Sequence, residues 1–464
     1  MTLKTNHLIA LSAIPIVLLG IIFSPISSTL SHTQLLTACL ILTAIILFAT
    51  SSLPEHVTAL LLMCGAMLLN LAPANVVFSG FYSTACWLIF TGLIIGIAIH
   101  KTGLALRVAN VFSERITQHY WRLISTTVII STLVGFLMPS SIGRAVLLVP
   151  MAMALAERCG FSKTDNGFIG IALAAAFGCH VPTFSILPAN VPNMVFIGAA
   201  ETIYNWTPTY AYYLLLHFPV LGFLKMGVII ALILWLYPDQ ANKQIDNSKE
   251  KTTSAKPFSK DEIKLITILL MTLGFWVTDA LHHISAAWIG LSAACILLLP
   301  KLGLVDKQHF DNQFKMSPLI FVIGILALSA LINDSGLGTL LGDGFNQWLP
   351  LSDGNSFFNF ILLSITATIT AIFTTLPGVP AVLAPFAEQM SIKSGFSIEA
   401  VMMTQVLGFS TVIFPFQSAP LVVAMQLAGV SIKHAAKLCL ILTAITLFFL
   451  FPLDYLWWIW IGEI

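Results

Sequence analysis

The stretch Met138-Pro139-Ser140-Ser141-Ile142-Gly143-Arg144, which runs on through Ala145 to Pro150, sets two hydroxyls, a glycine and a guanidinium inside a long apolar run. Buried polar groups are costly unless they are satisfied, and in lipid nothing satisfies them from outside the protein. The same pattern returns 235 residues later as Thr374-Thr375-Leu376-Pro377-Gly378, followed by Val382 to Pro385. At that one offset Pro150 falls on Pro385, and Gly160-Phe161-Ser162 falls on Gly395-Phe396-Ser397. Any fold for this chain must accommodate the same break twice.

The surroundings are apolar enough to make lipid the solvent. Of 464 residues 58% are hydrophobic and 9% charged, against about a quarter charged in soluble proteins. The chain therefore reads as an all-α polytopic membrane protein. Its net charge of +1 offers nothing to nucleic acid. Seven cysteines are scattered without paired spacing, which indicates neither a disulfide framework nor a metal site. The first apolar run, Leu8 to Phe23, follows Lys4 as a signal peptide's would. No small-residue cleavage pattern follows it, so it is read as a retained helix.

A span needs roughly 20 apolar residues. Candidate spans are 8–24, 33–49, 54–72, 84–100, 211–237, 261–281, 285–300, 317–333 and 434–461. The segments 123–157 and 356–391 are interrupted in the middle and read as re-entrant hairpins. The tracts 166–203 and 398–430 are too long for one straight helix, at 1.5 Å per residue. Each carries prolines near its centre: Pro182, Pro188 and Pro192 in the first, Pro415 and Pro420 in the second. Proline removes a backbone donor and clashes with the preceding turn, so each tract reads as two half-helices around an unwound segment. The total is about eleven spanning helices plus two hairpins.

Charge orients this layout. With a cytoplasmic N-terminus and non-crossing hairpins, 18 of the 21 Lys and Arg fall inside, in line with the positive-inside rule. Arg144, Lys225 and Lys393 are the exceptions. The offset of 235 passes through five crossings, an odd number, so the halves are inverted relative to one another. An N-terminal helix (1–32) precedes repeat one (33–237). A polar linker (238–260) precedes repeat two (261–464). Inverted repeats with interrupted helices place a transport site at the repeat interface.

Half-helix N-termini attract anions, and unwound carbonyls with hydroxyls suit a small hard cation such as Na⁺. The first tip offers Ser140, Ser141, Gly143 and Arg144; the second offers Thr374, Thr375 and Gly378. The unwound segments offer His180, Thr183, Asn190 and Asn193, then Gln417 and Ser418. Arg144 reads as an anion ligand rather than a snorkelling residue, because intramembrane charge marks function by default. For the hydroxyls, helix capping and ligand binding are compatible readings. Asn193, and after it Asn190, reads as binding rather than only satisfying the broken backbone. His180 reads as a satisfied buried histidine. Lys225 sits near the middle of its span, and Lys393 reads as an anchor at a hairpin base.

These segments carry a family resemblance. Ser140-Ser141-Ile142-Gly143-Arg144-Ala145, Val191-Pro192-Asn193, Thr374-Thr375-Leu376 and Ser418-Ala419-Pro420-Leu421 resemble the hairpin tips and broken helices of the divalent anion–sodium symporters, in the citrate and ion transporter superfamily. The likeness covers about residues 33–460. It implies an elevator-type carrier of a dicarboxylate, citrate or sulfate in a plasma or bacterial inner membrane, commonly dimeric. It also implies Na⁺ as coupling ion, with Ser140, Ser141, Thr374 and Thr375 as its candidate ligands, and no other cofactor. The sequence departs from the family at both tips, where Ser141 and Leu376 replace asparagine, and at Leu421, again in place of asparagine. H⁺ coupling is compatible with those losses. Rival readings are a cation/proton antiporter or oxyanion exporter on the same architecture. The expected intramembrane carboxylate pair of an antiporter is not evident, since Glu201 and Asp334 lie near span ends. No HExxH or GxSxG motif points to an enzyme.

Overall fold

Hydroxyls start many of the helices. Ser31 and Ser259 each form a capping box, with Gln34 and Glu262, and Ser83, Thr209 and Ser397 each place an oxygen on an N–H of the first turn. A cap of this kind contributes about 1 kcal/mol in water. In lipid, where no water can reach the orphan N–H groups, the need for one is greater. The computed structural model describes residues 5–22, 30–104, 119–240, 257–338, 340 and 349–464. Among these the chain is all helix and turn, and seven helices are long and apolar enough to cross a membrane. Lys4, Arg107, Arg115 and most of the 238–260 linker lie outside the described residues.

In chain order the principal helices are α1 (Thr5–Ile22), α2 (His32–Thr50), α3 (Glu55–Leu68) and α4 (Thr84–Thr102). The first hairpin follows as α5 (Tyr120–Leu133), with a 3₁₀ turn at Val134–Phe136, and α6 (Ser141–Arg158). The first long tract comprises α7 (Asn166–Gly178) and α8 (Val191–Tyr204), and α9 (Tyr210–Leu236) closes this half. The second half runs α10 (Lys260–Val277), α11 (Ala286–Leu298) and α12 (Ser317–Asp334). Its hairpin is α13 (Ser356–Phe373), α14 (Gly378–Leu383) and α15 (Ala387–Ser394). The second split tract is α16 (Ile398–Phe409) and α17 (Ala419–Ala428), and α18 (Ile432–Ile461) ends the chain.

The halves pack reciprocally. α4 lies on α11 while α3 lies on α12, and α5 lies on α7 while α13 lies on α16. α17 packs against α6, and α8 in turn against α14. Each hairpin is thus held by its own split helix and by that of the other half. Left-handed glycines fall in matched places: Gly103 (φ 73°) with Gly336 (φ 72°), and Gly160 (φ 82°) with Gly395 (φ 73°). These positions end helices, and a side chain there would be strained. Both halves close on a helix containing a π segment, Phe218–Leu224 in α9 and Thr446–Leu450 in α18.

The match is not exact in the hairpins. α6 carries Pro150 within an unbroken helix, whereas α14 and α15 are separated by a 3₁₀ turn at Ala384–Phe386. Pro380 and Pro385 lie five residues apart there, and two missing N–H donors so close together leave no regular helix to carry through.

Loops that charge assigns to one side are neighbours. Lys101 Nζ donates to Asp306 Oδ2 at 2.6 Å, and this bond helps hold the exposed Asp306 carboxyl below the usual carboxylate range. Gly167 N donates to Asp239 at 2.7 Å. On the loops assigned to the opposite side, the main-chain N–H of Tyr210 donates to Asp279.

Candidate functional site: the hairpin tips and helix breaks

The first tip turns at Leu137 to Ser140. Ser140 is extended and its Oγ accepts from Gly143 N at 3.1 Å, so it caps α6. Pro139 rests on α4 at Gly92, where an added Cβ would stand 2.8 Å from Pro139 Cγ. Gly143 is closed in by Met138 and the Ser140 side chain, so its smallness serves the tip itself.

The break between α7 and α8 is built by proline. Pro182, Pro188 and Pro192 each sit at the start of a helical piece, where their missing N–H is harmless. The carbonyls so released find partners inside the protein. Asn193 Nδ2 donates to Phe184 O at 3.0 Å and Ile186 O at 2.8 Å, and Tyr213 Oη donates to Phe184 O at 3.0 Å. Asn193 therefore braces the break, while its Oδ1 is buried without a hydrogen-bond partner.

Arg144 joins tip to break. It is fully buried. Nε donates to Cys179 O at 2.9 Å; Nη1 donates to Ala189 O at 3.0 Å and to Met138 O. Nη2 faces Thr183 Oγ1 at 2.9 Å, Ser141 Oγ at 3.2 Å and Asn190 Oδ1 at 3.3 Å. Ser141 also donates to Asn190 Oδ1, and Asn190 Nδ2 donates to Thr183 Oγ1 at 3.2 Å. Ser141, Arg144, Thr183 and Asn190 thus form one network. The anion-gripping role expected of Arg144 is not available in this conformation, because protein oxygens engage its donors.

The second tip differs. Thr374 donates to Thr370 O at 2.9 Å, and Thr375 Oγ1 accepts from Gly378 N at 3.3 Å. Both hydroxyls serve their own backbone, which is the capping reading. Thr374, Thr375 and Gly378 line a void of about 20 Å³ together with Ile45, Phe48, Ile325 and Leu328. They stand apart from the Arg144 network. Gln417 binds its own half, accepting from Phe414 N at 2.7 Å and donating to Ala371 O at 2.8 Å.

The two breaks meet. Ser418 Oγ, which caps α17, lies 2.6 Å from His180 Nε2. His180 is buried against Phe184, and its Nδ1 has no hydrogen-bond partner. The expectation of a satisfied histidine holds for one ring nitrogen only. This contact spans 238 residues and joins the centres of the two halves.

The tips do not fit a Na⁺ ion at the expected ligands. The convergent oxygens of the first tip already hold a guanidinium, and the second tip's hydroxyls face an apolar wall.

Sequence reasoning passed over a buried acid. Asp454 in α18 is fully buried, and Lys225 and Trp458 are the polar groups that bear on its carboxyl, with no salt bridge joining it to Lys225. Lys225 in α9 is also buried and donates to Ser410 O, at the end of α16, at 2.9 Å. Both follow the π segments of their helices. The signal is present in the sequence as an acid within a 30-residue apolar helix, next to the aromatic residues Tyr455, Trp457, Trp458 and Trp460.

Residues 5–464 match the family described as the sodium:sulfate symporter transmembrane region. A membrane protein of Cupriavidus necator is 24% identical over 396 residues, covering 83% of this chain and 76% of that protein. The L-tartrate/succinate antiporter of Escherichia coli is 21% identical over 364 residues, covering 74% and 72%. The solved structure of the Alcanivorax borkumensis YdaH transporter superposes with a TM-score of 0.56 at 16% identity, over 93% of this chain and 99% of that one.

Proposed function

Because the chain belongs to the family of the sodium:sulfate symporter transmembrane region, we propose that it is a secondary carrier of a small di- or tricarboxylate, of the size of succinate or tartrate. The observation that carries this reading is the His180–Ser418 contact, where two proline-broken helices from opposite halves meet in a buried polar centre. α17 begins at that centre, capped by Ser418, and α7 ends beside it; a helix N-terminus favours carboxylate oxygens. The antiporter of Escherichia coli, named for two C4 dicarboxylates, supports the substrate class.

Movement follows from the packing. The hairpins and split helices hold one another, and α3, α4, α11 and α12 pair among themselves, with α8 resting on α4 and α12 and α14 on α12. We read the first set as the moving unit of an elevator and the second as its frame, with the Pro139–Gly92 contact at the boundary. The orientation has the N-terminus cytoplasmic in a plasma or bacterial inner membrane. The matched halves are inverted repeats with the limits given by the sequence. The working form is a homodimer, by family likeness. A second reading, H⁺ as coupling ion, is favoured by the buried Lys225 and Asp454.

The test is uptake into proteoliposomes of the full chain. The panel is succinate, tartrate, citrate, sulfate and phosphate, each with and without Na⁺ and pH gradients. Accumulation or exchange of a dicarboxylate, competed by its analogues, is the expected result. If no anion moves under any gradient, the proposal fails.

A further inference from the structure

Two ionisable groups take no part in the hairpin tips. Asp454 in α18 and Lys225 in α9 are both buried, and each stands past the π segment of its helix, a distortion common at functional positions. α9 packs on α5 and α7, and α18 packs on α13 and on α9, so both residues travel with the hairpins. Lys225 and Trp458 bear on the Asp454 carboxyl, and Cys439 of α18 bears on Lys225. Against Trp458, at 5.9 Å between ring centroids, lies the buried His217 of α9, whose Nδ1 has no hydrogen-bond partner. An ionisable cluster inside the membrane marks a proton or ion pathway by default.

Lys225 stands between two acceptors. Its Nζ donates to Ser410 O at 2.9 Å, at the C-cap of α16, where the negative end of a helix favours a cation. Thr443 of α18 donates to Val412 O at 3.3 Å, so the same break is tied to both α9 and α18. Ser410 opens that break, and Ser418, facing His180 in the polar centre, closes it. While Lys225 serves Ser410 O, no salt bridge joins it to Asp454. A buried carboxylate without a paired counter-charge is costly, and a proton on the carboxyl removes that cost.

We infer that Asp454 is the group that carries a proton across together with the anion, and that Lys225 is the positioning residue that links it to the break of α16. This rests on the carrier reading above and assigns its H⁺ coupling to a residue. An anion at the polar centre attracts the Lys225 ammonium toward the break. Asp454, left without it, takes a proton from the solution on the loading side. When the anion departs, Lys225 turns to the Asp454 carboxylate, and the proton leaves to the solution on the far side. The empty unit then returns with the two side chains as an ion pair. Anion and proton each favour the binding of the other, as linkage requires.

Two arms test this. In the first, proteoliposomes of the full chain in Na⁺-free choline chloride are given labelled succinate, with the outside more acidic than the inside or at equal pH. Both sides are kept neutral or above, so that succinate stays a dianion. A parallel set is loaded with unlabelled succinate to measure counterflow. The acid gradient should raise wild-type uptake several-fold. In Asp454→Asn the ratio of uptake to counterflow should be the same with and without the gradient. In the second arm, purified protein in weakly buffered detergent solution is given succinate beside a pH indicator. Wild type should withdraw protons as it binds; Asp454→Asn and Lys225→Met/Asp454→Leu should not. Lys225→Met leaves Asp454 protonated throughout and should withdraw none, while Lys225→Arg should restore the withdrawal. The inference is overturned if wild type binds succinate without taking up protons, or if Asp454→Asn takes up as many as wild type. Uptake by Lys225→Met equal to wild type overturns the part assigned to Lys225. Should Asp454→Asn not fold, the double variant takes its place in both arms. If counterflow proceeds while a pH gradient drives nothing, the inference fails and the carrier reading stands. If no anion moves under any condition, both fail.

Discussion

Lys225 and Asp454 allow a double-mutant cycle whose outcome the structure dictates. Asp454 is fully buried, and Lys225, though not in a salt bridge with it, is the positive group that bears on its carboxyl, beside Trp458. Lys225→Met removes that charge and also the donor to Ser410 O, 2.9 Å away. An orphaned carbonyl costs about 1–3 kcal/mol where water cannot reach it, and the ammonium's field at Asp454 is lost as well. Lys225→Met should therefore melt below wild type. Asp454→Leu leaves a buried ammonium with Ser410 O as its hydrogen-bond partner and should also destabilise. The double variant Lys225→Met/Asp454→Leu removes both ionisable groups but still lacks the donor to Ser410 O, so it should lose less than the sum of the singles and stay about 1–3 kcal/mol below wild type. The coupling between the two sites should then exceed the scatter of independent sites, about 0.3–0.5 kcal/mol. Stability is read by denaturant titration in detergent, with monodispersity by size-exclusion chromatography. The reasoning is refuted if the double variant loses the sum of the singles, or if Lys225→Met is as stable as wild type.

Gly92→Leu should hold the first tip off α4, because even an added Cβ would sit 2.8 Å from Pro139; overpacking of this kind costs about 1–3 kcal/mol, so the melting temperature should drop by a few degrees while transport falls several-fold. Full transport by Gly92→Leu would mean that the tip does not bear on α4 during the cycle. Ser418→Ala removes both the partner of His180 and the cap of α17, and should lower stability by about 1–3 kcal/mol in the same titration. Ser418→Thr should restore most of it. Glu201 Oε2 accepts from Ser83 Oγ, Thr84 N and Thr84 Oγ1 at 2.7–3.0 Å, so it clamps the end of α8 to the start of α4. Glu201→Gln should cost about 1 kcal/mol, with little change in anion selectivity in a competition assay.

What could be read in advance was whatever local chemistry dictates. The helical class follows from apolar runs in a chain with 9% charged residues. The splits of both long tracts follow from Pro182, Pro188, Pro192, Pro415 and Pro420, because a residue without an N–H cannot continue a helical ladder. Ser140 and Ser418 are cappers by type and cap in fact, and Thr375 accepts from Gly378 N in the turn before α14. The matched glycines Gly103 and Gly336 carry the repeat in their dihedral angles. The fate of Arg144 could not be read in this way. Its hydrogen bonds beyond the tip go to Cys179, Thr183, Ala189 and Asn190, 35 to 46 positions further along the chain. Two of those four acceptors are main-chain carbonyls, which every residue carries alike. Whether a buried guanidinium is free for an anion or consumed by protein depends on which carbonyls the fold aims at it. The same holds for Asp454, whose partner Lys225 lies in the other half of the molecule, and for His180 and Ser418. Local chemistry sets where the helices break and what caps them; which broken ends face one another is set by packing between the halves rather than by any property of the neighbouring residues.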